Sequence, residues 1–488
     1  MRTIKYVSIL IIILICFCDF KLLAQAPDRS KPPELGPPPT LHLPEIQRFQ
    51  LSNGLQVLLM EKHQVPLVQI NVLIKAGTAM DPANRPGLAS MTVDMLDEGA
   101  GDRNALQLAD AIDYLGANLS TYADFHHSVV ALHTPLSKLE SALPLLADVV
   151  LRPKFPPQEL ERLRKQRLTT LIQWHDEPRA VAQVLLNQTL FGKKHPYGWI
   201  SMGDEKSLRD MKVEELQKFH RTYFHPNNAA LIVVGDVTKD SIVPKLEKYF
   251  GEWKAASIPR IKWPAIKQVK RRQIYLVDKP GAAQSEIRIG RIGVSRQTPD
   301  YFAIRVMNTI LGGSFTSRLN QNLREEHGYT YGAGSYFAFR PLPGPFVAYA
   351  AVQTAVTDKA LMEFMKELQG ILQPVTDQEL ERAKNYLALR FPENFQTVAR
   401  IAYQLQELVL YDLPEDYFNK YVQNILAVTK AEVLRVAQKY VDPQKLAIIV
   451  VGDRKVIEPG IKALNLGPIK HLSIEDVLGK IPELEGTQ

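Results

Sequence analysis

Gln158-Glu159-Leu160-Glu161-Arg162 recurs unchanged as Gln378-Glu379-Leu380-Glu381-Arg382, 220 residues further along the chain. Tyr223-Phe224-His225-Pro226, leading into Leu231-Ile232-Val233-Val234-Gly235-Asp236, has its counterpart in Tyr440-Val441-Asp442-Pro443, leading into Ile448-Ile449-Val450-Val451-Gly452-Asp453 at a displacement of 217. Two segments repeating in one order at nearly one offset mark an internal repeat of about two hundred residues, a domain's length. In each copy a helix runs up to the tyrosine and the proline forbids its continuation. The β-branched run that follows reads as a buried strand closed by a Gly-Asp turn.

Ahead of the first copy, Ser52-Asn53-Gly54 separates Phe49-Gln50-Leu51 from Leu55-Gln56-Val57-Leu58-Leu59. Asn and Gly tolerate positive φ, so this is a hairpin signal. Val68, Ile70, Val72 and Ile74 alternate with Gln69, Asn71 and Leu73, which predicts a strand with one face in a core. Leu106 to Leu115 and Tyr301 to Leu311 carry apolar residues at three- and four-residue spacing, the pattern of amphipathic helices. Strands at the ends of each repeat with helices between them predict α+β layers. The expected organisation is a first half over residues 46–254, a linker over 255–272 carrying Pro259, Pro264 and Lys270-Arg271-Arg272, a second half over 273–475, and a C-terminal tail over 476–488.

Residues 1–26 read as an export signal. Arg2 and Lys5 precede an apolar run from Tyr6 to Phe17, and Leu22-Leu23-Ala24-Gln25-Ala26 offers a small-residue cleavage region. The run is short for a membrane span. The expectation is a periplasmic or secreted protein, with an uncleaved N-terminal anchor as the alternative. Residues 27–45 contain Pro27, Pro32, Pro33, Pro37, Pro38, Pro39 and Pro44, a composition that favours extended polyproline geometry and suits a spacer. The two cysteines, Cys16 and Cys18, lie inside the export signal, so a chain cut after it has no disulfide, thiolate metal site or cysteine nucleophile.

With 488 residues, 45% of them hydrophobic and 23% charged, the chain has globular composition. Its formal charge of +7 is scattered along the chain without a nucleic-acid motif, so nucleic acid is not the expected partner.

Gly312-Gly313-Ser314-Phe315-Thr316-Ser317-Arg318-Leu319, followed by Leu323-Arg324-Glu325-Glu326-His327-Gly328-Tyr329-Thr330-Tyr331, closely resembles the second-half signature of pitrilysin/insulinase metallopeptidases. Arg85-Pro86-Gly87-Leu88-Ala89 and His175-Asp176-Glu177-Pro178 extend the resemblance into the first half, so that it covers residues 46 to 461. The resemblance implies two homologous LuxS/processing-peptidase-like repeats, each an antiparallel sheet with helices, together making half of a clamshell whose chamber takes extended peptides. Active members carry H-x-x-E-H on a helix directly after the Gly-Leu-Ala step, with the two histidines as zinc ligands and the glutamate as base. Here that window reads Ser90-Met91-Thr92-Val93-Asp94, so ligand and base positions are held by Ser90, Val93 and Asp94. The place of the third ligand, a glutamate in a later helix, is held by Thr169-Thr170. No metal is therefore expected in this chain.

The family's second-half pair, an arginine and a tyrosine seven residues on, matches Arg324 and Tyr331. The resemblance implies that these reach across the chamber to substrate at the partner half's zinc. A tyrosine hydroxyl can donate a hydrogen bond to an oxyanion, and a guanidinium can grip a peptide carbonyl. By residue type and spacing alone the two read as a helix-surface charge and a strand-core aromatic; their setting in Gly-Gly-Ser, Ser-Arg-Leu and Leu-Arg-Glu reverses that reading. Gly312 and Gly313, with Ser314, have two readings: a helix-end turn, or a backbone edge that approaches bound peptide, as the resemblance implies. The resulting expectation is a zinc-less subunit that pairs with a homologous H-x-x-E-H subunit carrying the zinc and acts on extended peptides. The alternative is a non-catalytic structural or peptide-binding homologue. Ser90 as a nucleophile has no G-x-S-x-G elbow to support it.

Overall fold

The structure is a computed structural model and describes Gly36 and residues 43–484. The export signal, most of the proline-rich spacer and the last four residues of the expected tail lie outside the described residues. Among the described residues no helix is long and apolar enough to cross a membrane.

Each repeat folds around one sheet. In the first half, strands β1 (Gln47–Gln50), β2 (Gln56–Glu61), β3 (Leu67–Ile74), β4 (Asn118–Ala123), β5 (Ser128–Pro135) and β6 (Ala229–Gly235) lie in the order β1-β2-β6-β3-β5-β4. In the second, β7 (Gln273–Asp278), β8 (Gln284–Ile292), β9 (Thr330–Phe337), β10 (Pro345–Gln353), β11 (Ala447–Gly452) and β12 (Ile469–Leu472) lie in the order β9-β10-β8-β11-β7-β12. Reading β7, β11, β8, β10 and β9 against β2, β6, β3, β5 and β4 gives one order twice, the three-dimensional form of the sequence repeat. The sixth strand differs. β1 enters before β2 and pairs with it antiparallel, whereas β12 arrives at the end of the second half and pairs with β7 in parallel.

The sheets are mixed, not antiparallel as the resemblance implied. β2 runs parallel to β6, with Val57 opposite Leu231, and β7 runs parallel to β11, with Ile274 opposite Ile448. β2 and β6, like β7 and β11, are separated by most of the helices of their half, a crossover long enough for parallel pairing.

The helices of the first half, besides a short one over Glu205–Asp210, are α1 (Leu88–Asp94), α2 (Ala105–Tyr114), α3 (Leu139–Leu151), α4 (Pro157–Trp174), α5 (Pro178–Phe191), α6 (Val213–Tyr223) and α7 (Lys239–Phe250). Those of the second are α8 (Tyr301–Leu311), α9 (Thr357–Gly370), α10 (Asp377–Arg390), α11 (Val398–Leu410), α12 (Tyr417–Ala427), α13 (Lys430–Tyr440), α14 (Arg454–Ala463) and α15 (Ile474–Leu478). The Asn-Gly hairpin and the helices read at 106–115 and 301–311 are present, as β1–β2, α2 and α8.

The halves interlock by exchanging one helix each. α5 packs on β8 and β11 of the second sheet, while α11 packs on β3 and β6 of the first. This explains why β3 is buried on both faces, against the expectation of one: Val68, Ile70, Val72 and Ile74 join the first core, while Leu73 joins the second. Gln69 and Asn71, on the face that alternation assigned to solvent, are buried and satisfy each other, Gln69 Nε2 donating to Asn71 Oδ1 at 2.6 Å. Polar links cross the same seam: Arg288 Nη1 donates to Gln183 Oε1 at 2.9 Å, and Tyr122 OH to Gln406 Oε1 at 3.0 Å. The C-terminal segment returns to the first half, where α15 packs on α5 and Gly479 O lies 3.0 Å from His175 Nε2.

Candidate functional site

Helix α1 is the place where the family motif would stand. Asp81, buried, holds its first turn: the backbone N–H groups of Gly87 and Ala89 donate to its two carboxylate oxygens at 2.7 and 2.8 Å. Burial pushes the Asp81 carboxyl up to about 8, against those two donors and the nearby Arg167. Gly87 takes φ +88°, and a Cβ there would fall 2.4 Å from Gly203 N, so glycine is required on both counts. Ser90 and Asp94 stand one turn apart on α1 and remain partly exposed, whereas Val93 is fully buried in the first core.

Across Ser90 and Asp94 lies a side chain that sequence reasoning missed. Arg167, on α4, is only 8% exposed. Its Nη2 donates to Asp94 Oδ2 at 2.6 Å, and its Nη1 to Ser90 Oγ at 3.0 Å and to Met202 O at 2.8 Å. Ser90 Oγ in turn donates to Ser201 O at 2.9 Å. Thr169 and Thr170 are not part of this arrangement; their hydroxyls donate back to Lys165 O and Gln166 O in their own helix. The signal that would have found Arg167 was available: it falls on the buried stripe Leu160, Leu163, Leu168, Leu171 of α4. A cation on a buried stripe requires an anionic or carbonyl partner.

Zinc does not fit these residues. The donor set is one hydroxyl and one carboxylate, and both already receive hydrogen bonds from a permanently charged guanidinium. Among the described residues no group of three or more His, Cys, Asp and Glu side chains could hold a metal ion. Two buried histidines are engaged elsewhere: His220 Nε2 lies 2.8 Å from Val150 O, and His126 against the Tyr197 hydroxyl. Burial pushes both down to about 4, which keeps them neutral near pH 7.

The second-half signature forms a different surface. Helix α8 ends at Gly312, whose carbonyl accepts a hydrogen bond from Ser335 N of β9 at 2.9 Å. A Cβ on Gly312 would lie 2.3 Å from that nitrogen, so this glycine lets the helix end sit against the strand. Gly313 is exposed beside it, and Ser314 Oγ turns back to Thr309 O at 3.2 Å. The chain then passes through Phe315 and a short helical segment with a π-helical turn over 321–326 that carries Arg324. The Arg324 guanidinium lies over the exposed Phe315 ring, 4.6 Å from its centre, with Nε 3.4 Å from Glu325 Oε1. Gly328, at φ +64°, reverses the chain into β9.

Tyr331 stands at an irregularity of β9, where the register with β10 shifts between Thr330 and Ala333. It is 91% exposed, and its hydroxyl makes no hydrogen bond to a described residue. The bulge is fixed from below. Asn320 Oδ1 accepts from Ala333 N at 3.2 Å, while Asn320 Nδ2 donates to Phe315 O at 2.7 Å. One buried carboxamide therefore ties the segment bearing Phe315 to the strand bearing Tyr331. Bulges that re-aim a side chain in this way are characteristic of functional strands. Arg324, Phe315 and Tyr331 thus form a half-buried cation and two exposed aromatic rings on a fixed frame.

Residues 56–200 match the family model described as insulinase (peptidase family M16), and residues 210–387 match the one described as peptidase M16 inactive domain. The chain has the domain architecture of the M16 insulinase family. A solved structure of a peptidase M16 inactive domain from Pseudomonas fluorescens is 27% identical, with TM-score 0.78 over 83% of this chain and 98% of that one. A protease from Helicobacter pylori shares the fold at 20% identity, with TM-score 0.76 over 84% of this chain and all of that one. Among curated sequences, an uncharacterized zinc protease of Rickettsia bellii is 23% identical over 80% of this chain and 93% of its own length. A Helicobacter pylori protein named as a non-peptidase homolog is 20% identical over 82% of this chain and 92% of its own length. In this M16 chain the family's metal site is not intact, because the motif window is Ser90 to Asp94 and Arg167 lies across it.

Proposed function

We propose that this chain is the zinc-less subunit of a two-subunit M16 peptidase, exported to the periplasm or secreted. It pairs with a homologous subunit that carries H-x-x-E-H and zinc, and it lends Arg324 and Tyr331 to that subunit's site. The observation that carries this reading is the contrast between the two ends of the chain's chemistry. The motif helix is tied down by Arg167, while Tyr331 is held out to solvent on a bulge with no hydrogen-bond partner among the described residues. A tyrosine kept only for packing would be buried on its strand. In the mixed complex the Tyr331 hydroxyl would donate to the oxyanion that forms as an extended peptide is hydrolysed, and the Arg324 guanidinium would grip a neighbouring carbonyl.

The test is reconstitution with the zinc subunit. Zinc and turnover are expected only in the mixture, and Tyr331→Phe is expected to lower kcat about 10–100-fold, the range for losing one oxyanion donor or somewhat less, while assembly is unchanged. Full turnover with Tyr331→Phe would overturn the assigned role. A second reading, a non-catalytic peptide-binding homologue, draws support from the Helicobacter pylori relative named as a non-peptidase homolog; it requires that no zinc-bearing partner gain activity from this chain.

A further inference from the structure

A cavity of about 320 Å³ opens between α8 and α10 in the second half. Its place in the fold is informative. In the repeated order of elements, α8 stands where α1 stands in the first half, and α10 where α4 stands, since the shared Gln-Glu-Leu-Glu-Arg opens both α4 and α10. Leu387 follows Arg167 by the same 220 residues. In the first half Arg167 fills the space against α1. In the second, a shorter and uncharged leucine leaves the corresponding space open.

The walls of that space carry the guanidinium groups of Arg305 and Arg390, the carboxamide of Asn394, and apolar surface from Ile304, Leu387 and Phe391. Arg305 Nε is shielded from solvent and has no hydrogen-bond partner among the described residues, while the rest of its guanidinium bonds the Tyr421 hydroxyl and faces Glu407. Arg390 Nη1 donates to the Tyr386 hydroxyl, and its other face looks to Glu393 Oε2 at 3.8 Å across the mouth, where both side chains are about half exposed. Gly313 of the signature loop lines the rim.

We infer that this cavity binds the free carboxylate end of an apolar chain, the C-terminal leucine- or phenylalanine-like residue of a peptide. Guanidinium forks match the two oxygens of a carboxylate, and the apolar walls suit one aliphatic or aromatic side chain. A volume of this size accommodates one residue with its terminus. An internal aspartate or glutamate would need the chain to continue on both sides. The inference does not depend on pairing with a zinc subunit.

Binding of N-acetylated tripeptides ending in leucine to the full chain, measured by titration calorimetry, tests it. The free acid is expected to bind at least tenfold more tightly than the C-terminal amide. Arg390→Ala, a half-exposed position, is expected to weaken the free acid about tenfold with unchanged melting temperature, and Arg305→Gln to weaken it further. Leu387→Phe, which fills the space while retaining an apolar residue, is expected to block binding. N-acetylleucine distinguishes the sources: weaker binding than the tripeptide acid supports a peptide terminus. Equal binding by N-acetylleucine overturns the peptide assignment in favour of a small carboxylic acid. No binding of any acid, equal binding of acid and amide, or binding indifferent to Arg390→Ala in a folded protein would overturn the site.

Discussion

The Arg167 guanidinium donates to the Asp94 carboxylate at 2.6 Å, at the position where the family's second histidine would stand. Arg167 is nearly buried while the Asp94 side chain is 41% exposed, so the two partners are not equally dependent on the pair. Removing Arg167 strands Ser90 Oγ, Met202 O and Asp94 together. Arg167→Met is therefore expected to destabilise the chain by about 3 kcal/mol, the scale for breaking a buried ion pair from the buried side. Asp94→Asn, which keeps an acceptor and can lean on solvent, is expected to cost about 1 kcal/mol. Chemical denaturation midpoints at constant slope would read both, and equal losses would show that the burial asymmetry carries no weight.

The same relationship bears on metal binding. Ser90→His with Asp94→His restores two ligand types on one face of α1, but Arg167 remains against them and repels a dication. The double variant is expected to bind no zinc. Adding Arg167→Glu removes the resident cation and supplies a carboxylate from α4, and zinc binding is expected to appear, measured by metal analysis after dialysis. Zinc in the double variant with Arg167 intact would contradict the account.

How much of this was legible beforehand differs by element. The repeat lay open in the sequence, because identical pentapeptides and matching Tyr…Pro…Gly-Asp runs need no structure to be compared. The helices at 105–114 and 301–311 were legible because their period is local. The two buried faces of β3 were not: alternation of Val68, Ile70, Val72 and Ile74 with Gln69 and Asn71 records polarity, and only the arrival of α11 from about 330 residues away seals the second face. Arg167 escaped for another reason. The family's residue on this helix is an acid, and a cation three residues before Thr170 leaves no trace at the expected position.

Gly312 and Gly313 separate the two readings of the glycine pair. A methyl group on Gly312 meets backbone, Ser335 N at 2.3 Å, and backbone cannot swing aside. Gly312→Ala is expected to destabilise by about 2 kcal/mol or more, the scale of an overpacked contact. On Gly313 the nearest atom is the Asn308 side-chain nitrogen at 2.9 Å, and no backbone atom comes closer than 3.1 Å. Gly313→Ala is therefore expected to cost under about 1 kcal/mol. Thermal melts of the two variants would check the order, and a reversed order would assign the close approach to the wrong glycine.

Asn320 is predicted to position Tyr331 without touching substrate. Replacing it with alanine removes the bond to Ala333 N and the bond to Phe315 O, for a stability loss of about 1–2 kcal/mol. A purely structural role would end there. The positioning role predicts in addition that, in complex with the zinc subunit, Asn320→Ala lowers kcat with little change in KM, and that Asn320→Asp, which keeps the acceptor for Ala333 N, recovers most of the loss. Unchanged kcat in a folded Asn320→Ala complex would refute it.

Glu379, in the second copy of the repeated segment, contributes to the acid limb of stability. Burial pushes the Glu379 carboxyl up, but the Arg318 guanidinium, bonded to both its oxygens at 2.6 and 3.0 Å, and the Thr376 cap outweigh it and hold the group down at about 2. A carboxyl held lower in the folded than in the unfolded chain stabilises the fold above its unfolded value, near 4.5. That contribution is lost as pH falls towards 2, because the unfolded chain takes up the proton first. Stability is thus expected to drop by about 3 kcal/mol through this window on account of this group, at about 1.4 kcal/mol per unit. Glu379→Gln should be less stable than the parent at pH 6 and should converge with it near pH 2. Denaturation midpoints taken across pH 2 to 6 would show the two curves closing, and parallel curves would place the acid-sensitive group elsewhere.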